Sequence, residues 1–251
     1  MKRKKLKTVL SLLITFLFAQ INYAQTVTIG KQVWMTKNLN VDKFRNGDSI
    51  PQAKTYEEWE AAGENKQPAW CYYDNDPANG AKYGKLYNCF AVNDSRGLAP
   101  AGYHIPSDEE WTKLTDYLGE SSAAGTKMKS ASGWKSITRG GSKTCPNCSS
   151  WNAEYRKKVP CHTCKDTRTV TASKVTSSGN GTNSSKFSGL PGGYRGSDGT
   201  FDGVGYYTYW WSSSEGSTSF SHSLRLSYLY DFSNRNFSTV ESGFSVRCLK
   251  D

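Results

Sequence analysis

Four cysteines fall in two pairs of equal spacing, Thr144-Cys145-Pro146-Asn147-Cys148 and Pro160-Cys161-His162-Thr163-Cys164, with twelve residues between the pairs. A Cys-x2-Cys turn presents two sulfurs on one side, and two such turns close a tetrahedral all-sulfur zinc site. The segment around them is poor in apolar residues, so metal binding would supply the folding free energy that burial does not. The spacing predicts a structural zinc held by Cys145, Cys148, Cys161 and Cys164. Two disulfides are the competing arrangement in an oxidising compartment, and a redox-active pair is a third.

A second kind of chemistry is suggested by Tyr206, Tyr207, Tyr209, Trp210 and Trp211, the densest aromatic run in the chain. Aromatic faces stack on sugar rings, and a nearby carboxylate such as Glu215 bonds the ring hydroxyls. Tyr207, Tyr209, Trp210, Trp211 and Glu215 are the candidate ligand-binding residues. Strand alternation requires one of the two tryptophans to point inward. Asp74-Asn75-Asp76 with Asn79-Gly80 offers hard oxygen ligands for calcium. EF-hand spacing fails there, because Gly80 falls one position late and no Glu closes the set, and turn chemistry accounts for these residues equally well. The three histidines, His104, His162 and His222, stand in no motif of the Gly-x-Ser-x-Gly or His-Glu-x-x-His kind. The expectation is a protein that binds rather than catalyses.

The compartment is read from the N-terminus. Lys2, Arg3, Lys4, Lys5 and Lys7 precede the apolar stretch Val9–Ala19, and Asn22-Tyr23-Ala24 offers a cleavage point before Gln25. This is the pattern of an export signal over residues 1–24, with an apolar stretch too short for a comfortable permanent span. Secretion or cell-surface display is expected, with no transmembrane segment in the mature chain 25–251.

Charge follows the same division. Residues 1–24 carry +5 and residues 135–178 carry +7, which leaves −2 for the rest of a total of +10. A basic leader and a basic island do not make a whole-surface nucleic-acid binder. Arg156, Lys157, Lys158, Lys165 and Arg168 suit acidic polysaccharide, lipopolysaccharide or plain solvation better than nucleic acid. The expected partners are a polysaccharide or a surface protein.

The elements that must position these residues are short. Thr26–Met35 alternates as a hairpin turning at Gly30-Lys31, and Thr55 with Glu58 opens a short helix. Ser107 and Glu110 cap a clearer helix over 108–118, with Trp111, Leu114, Thr115 and Leu118 on one stripe and Gly119 at its end. Strands are predicted over 69–73, 85–92, 206–212, 223–229 and 243–249. Gly192-Gly193 reads as a crowded turn, with Arg195 beside it as a structural pairing partner.

Several blocks resemble the Fibrobacter succinogenes major paralogous domain family. They include Ile29-Gly30-x-Gln32-Val33-Trp34-Met35-x-x-Asn38-Leu39, Tyr83-Gly84-Lys85-Leu86-Tyr87-Asn88, Phe187-Ser188-Gly189-Leu190-Pro191-Gly192-Gly193-Tyr194-Arg195 and Gly243-Phe244-Ser245-Val246-Arg247-Cys248. The Pro106-Ser107-x-x-Glu110-Trp111 helix start and the final block are also similar to the formylglycine-generating-enzyme group. That likeness implies an α+β, C-type-lectin-like fold of irregular short antiparallel strands, one or two short helices and long loops. Members are exported or surface proteins. The implied organisation is a signal peptide (1–24) and one lectin-like domain (25–251) interrupted by a four-cysteine insertion (135–178) similar to zinc ribbons. Enzymes of the related group use a cysteine pair for copper-dependent oxidation; an enzyme of that kind, or a redox protein, is the alternative reading, and a structural surface subunit is a third. Cys71 and Cys248 are candidates for a disulfide joining the early and final segments, with Cys89 left buried and free.

Overall fold

The computed structural model describes residues 25–144 and 169–251. Strands β1 (Thr26–Ile29) and β2 (Gln32–Met35) form the expected hairpin, Ile29 opposite Gln32, with Gly30 at φ +61° in the turn. That left-handed backbone is one glycine adopts without steric cost. The far end of the chain closes this sheet. Strand β13 (Leu249–Lys250) pairs with β2 on one side and with β5 (Tyr103–His104) on the other, giving the order β1-β2-β13-β5.

Both helices read from their capping residues are present. Helix α1 (Tyr56–Glu64) starts at Thr55, whose hydroxyl accepts from Glu58 N while the Glu58 carboxylate reaches back to the Thr55 N–H. Helix α4 (Asp108–Tyr117) repeats the device with Ser107 and Glu110. Each box satisfies donors that the first helical turn leaves without partners. The stripe of Trp111, Leu114, Thr115 and Leu118 is buried as the spacing predicted. Gly119, at φ +104°, leads into α5 (Glu120–Met128).

Other segments differ from their sequence pattern. Strand β3 (Trp70–Cys71) pairs with β4 (Leu86–Tyr87), but both are two residues long. After β3 the chain enters a 3-10 turn (Tyr73–Asn75) and helix α2 (Pro77–Tyr83); after β4 it enters α3 (Cys89–Val92). Side chains cause the switch. Asp76 Oδ1 accepts from Ala78 N with Pro77 in the first helical turn, and Asn88 Oδ1 accepts from Ala91 N. Segment 243–248 is not a regular strand either; it makes single bridges, Phe244 to Tyr87, Gly243 to Arg195 and Ser245 to Trp210.

The larger sheet has the order β12-β11-β10-β8-β9: β8 (Gly192–Arg195), β9 (Phe201–Val204), β10 (Tyr207–Trp211), β11 (Phe220–Ser227) and β12 (Ser233–Thr239). All its pairings are antiparallel except β8 with β10. Gly193 lies within β8 rather than in a turn. Its φ is +68°, and a Cβ there would stand 2.5 Å from the Tyr73 ring, so the crowding is real and comes from across the fold. Strands β6 (Ser136–Thr144) and β7 (Thr169–Ser178) form a separate antiparallel ribbon with a register shift between Arg139 and Gly141. The stems of the 135–178 insertion are thus paired strands; its four cysteines lie outside the described residues.

The core is aromatic. Trp34, Trp111, Trp210 and Phe187 meet with ring centroids 4.7–6.2 Å apart, and Trp211, Tyr209 and Phe244 form a second group at 4.5–4.7 Å. Two buried guanidiniums lie against aromatic rings. Arg195 donates to the carbonyls of Gly199, Ala53 and Thr55 and lies between Trp59 and Phe201. It is the structural pairing partner the sequence suggested. Arg247 plays a similar part between the Phe187 and Trp210 rings. The observed class is α+β, built from short antiparallel sheets and short helices.

Candidate ligand-binding clefts

The aromatic strand expected to carry the site is interior. Trp210 and Trp211 both have 0% exposure. Trp210 Nε1 donates to Asn38 Oδ1 at 2.8 Å and Trp211 Nε1 to the Tyr87 carbonyl at 2.7 Å. The two rings alternate between faces as a strand requires, but both faces of the sheet are covered at this point, so neither reaches solvent. Trp210 faces α4 and Phe187, while Trp211 faces Phe244. A sugar-contact role for either indole is therefore corrected. Tyr207 and Tyr209 are half-buried, Tyr209 stacked on Phe244 at 4.7 Å.

Glu215 is on the surface, in the loop between β10 and β11, and that loop stands between two clefts. One, of about 630 Å³, is lined by Glu215, Ser217, Ser221, Asn93, Asp94 and Phe90, among others. The other, of about 550 Å³, is lined by Glu215, Gly216, Ser217, Phe220, His222 and Phe237. The exposed rings of the sheet are here: Phe220 is 46% and Phe237 67% exposed. His222 lies opposite Phe237 in the β11–β12 register, their rings 4.4 Å apart.

The start of α4 holds this rim in place. Asp108 receives Arg235 of β12 through Nε at 2.8 Å and through Nη2, and lies 3.7 Å from His222 Nδ1. Its own N–H donates to Ser214 Oγ, and Ser213 N donates to the Pro106 carbonyl. One capped helix start therefore fixes both the β10–β11 loop and the outer strand. The helix start is held in turn by His104, whose ring nitrogens contact Glu110 at 3.0 Å and Asp251 at 2.7 Å. Burial lowers the His104 pKa, but the two carboxylates outweigh it and the net shift is upward.

Of the sequence candidates only Glu215 borders these two clefts; Phe220, Phe237 and His222, which line one of them with it, were not among the ligand-binding candidates. The sequence signal was the isolation of each residue among serines and asparagines on β11 and β12: with so few apolar neighbours, such a ring has little to pack on.

The thiols are placed for packing. Cys71 and Cys248 are both free and lie in separate core clusters, so the suggested disulfide between them is corrected. Burial pushes each up to about 12. Cys89 is the buried free thiol expected; it borders the larger cleft, and burial raises it too. A thiol held protonated is a poor nucleophile. Of the calcium candidates, Asp76 caps α2, while Asn75 and Asn79 donate to the carbonyls of Lys54 and Tyr73. Among the described residues no group of three or more His, Cys, Asp or Glu side chains is placed to hold a metal. Nor, among them, is any helix long and apolar enough to cross a membrane.

A third cleft, of about 600 Å³, shares no residue with these two. Asn38, Tyr83, Gly84, Ser188, Leu190 and Arg247 contribute to its wall. They come from the chain's start, middle and end, and each belongs to one of the sequence blocks described above.

The model of the Fibrobacter succinogenes major domain matches residues 27–250. The chain belongs to that family; the strands at the two ends of the match, β1 and β13, lie in one four-stranded sheet. No curated protein and no solved structure matches the chain.

Proposed function

We propose that this chain is an exported, cell-surface or secreted binding protein of C-type-lectin-like architecture that holds a glycan or protein ligand and carries out no reaction. The observation that carries the reading is the rim around Glu215. Two exposed phenylalanine rings stand beside a carboxylate and a row of hydroxyls, with clefts of small-ligand size on either side. Apolar ring faces with a few placed polar groups suit a sugar ring or an extended peptide. The leader over 1–24, which lies outside the described residues, supports export.

A glycan array with the mature chain tests the reading, compared with Phe237→Ala and Glu215→Ala. The wild type should bind a restricted glycan set, and each variant should lose most of that signal. An array without wild-type signal, and no captured surface protein, would remove the proposal. Zinc at Cys145, Cys148, Cys161 and Cys164 belongs to the same reading, on the sequence motif alone. Metal analysis of protein purified without chelator should find one equivalent; fewer than about half an equivalent, with no free thiols, would replace the metal by disulfides.

A further inference from the structure

Arg195 and Arg247 are buried guanidiniums that have no carboxylate partner among the described residues, yet their surroundings differ. Arg195 is enclosed by carbonyls and rings and borders none of the three clefts. Arg247, 1% exposed, forms part of the wall of the third cleft. Its Nε and Nη2 donate to Asn38 Oδ1 at 3.0 and 2.7 Å, and Nη1 donates to the carbonyls of Met35 and Phe187. A guanidinium has five N–H bonds. Four are used, and the second N–H of Nη2 has no acceptor among the described residues.

The rest of the cleft has the same sign. Lys37 and Lys82 are exposed on its wall, and none of the lining residues among those described is acidic. Two backbone carbonyls that would repel an anion are already engaged: Asn38 Nδ2 donates to the Tyr83 carbonyl and Asn40 Nδ2 to that of Gly80. The opposing loop is held in an unusual shape. Asn183, Lys186 and Ser188 all have positive φ, and Asn183 ties to Ser188 by two side-chain bonds. Non-glycine residues in that region cost free energy, and such strain collects at binding sites. A buried cation is costly unless paired, and a concave surface of one sign concentrates counter-ions.

We infer that the cleft between Asn38, Lys82, Ser188 and Arg247 is a binding site for an oxyanion, a carboxylate, sulfate or phosphate group, recognised by Lys37, Lys82 and the free N–H of Arg247. Amides and hydroxyls around the cations favour an anion carried on a polyol, as in an acidic sugar. This site is independent of the Glu215 rim, with whose two clefts it shares no residue.

Calorimetric titration of the full mature chain with glucuronate, inorganic sulfate, inorganic phosphate and neutral glucose tests the inference. The anions should bind saturably and glucose should not. Glucuronate tighter than both inorganic ions identifies a sugar-borne group; equal affinities identify a free oxyanion. Lys37→Gln with Lys82→Gln, both on the surface, should weaken anion binding by about tenfold, as expected for removing two exposed charges. Glucose binding as well as glucuronate would overturn the inference. So would no saturable anion binding, or anion binding that the double variant leaves unchanged, since the latter would place it on other basic residues.

Discussion

Strand β10 and the β11–β12 rim are both aromatic, and they behave in opposite ways. In β10 the rings are consecutive and interlock with Phe187, Phe244 and Trp111. On the rim, Phe220 and Phe237 stand alone among polar neighbours and remain in solvent. Density of aromatic residues marks where a sheet is covered on both faces. Isolation marks where a ring has little to pack on and is free to meet a ligand.

Substitution separates the two regions most clearly by stability. Trp210→Ala and Trp211→Ala should each cost about 3–5 kcal/mol in urea unfolding, because each empties a fully buried site and leaves Asn38 or the Tyr87 carbonyl without its indole donor. A loss below about 1 kcal/mol at both positions would contradict the assignment of β10 to the core. Phe237→Ala should stay within about 0.5 kcal/mol of wild type in the same experiment, as an exposed position does. A large loss there would make the rim a second core.

The smallest expected effect concerns pH. His104 is raised above 6.5, so its contribution is complete below that value and fades as pH rises through the folded pKa. Glu110 is lowered below 4.5: burial opposes the shift, but the Ser107 N–H and His104 outweigh it. Its contribution is complete above 4.5 and fades in acid. The clamp should therefore support the rim most fully between pH 4.5 and 6.5. His104→Gln should flatten the neutral side of the stability profile by no more than about 1 kcal/mol, since more than a third of the ring is exposed. An unchanged slope in that variant would mean that His104 does not couple helix and terminus.

Much of the framework was legible. The capping boxes at Thr55–Glu58 and Ser107–Glu110, the Gly30 turn and the stripe on α4 follow from residues within a few positions of one another. The site was less so. Glu215 was a candidate from its place beside the aromatic run, but the residues that share its cleft, Phe220, His222 and Phe237, come from two later strands, and the register that assembles them is a long-range property. The same distance hid the cationic cleft, because Asn38 and Arg247 are 209 positions apart.

The amino-acid order alone determined where short elements begin and turn, because hydrogen bonds between a capping side chain and its own helix need no other part of the chain. It also brought the family blocks into view. Tertiary structure decided which rings are enclosed and which thiols stay apart. It also decided which buried cation borders open space, for burial depends on what lies across the sheet, and no local pattern reports that.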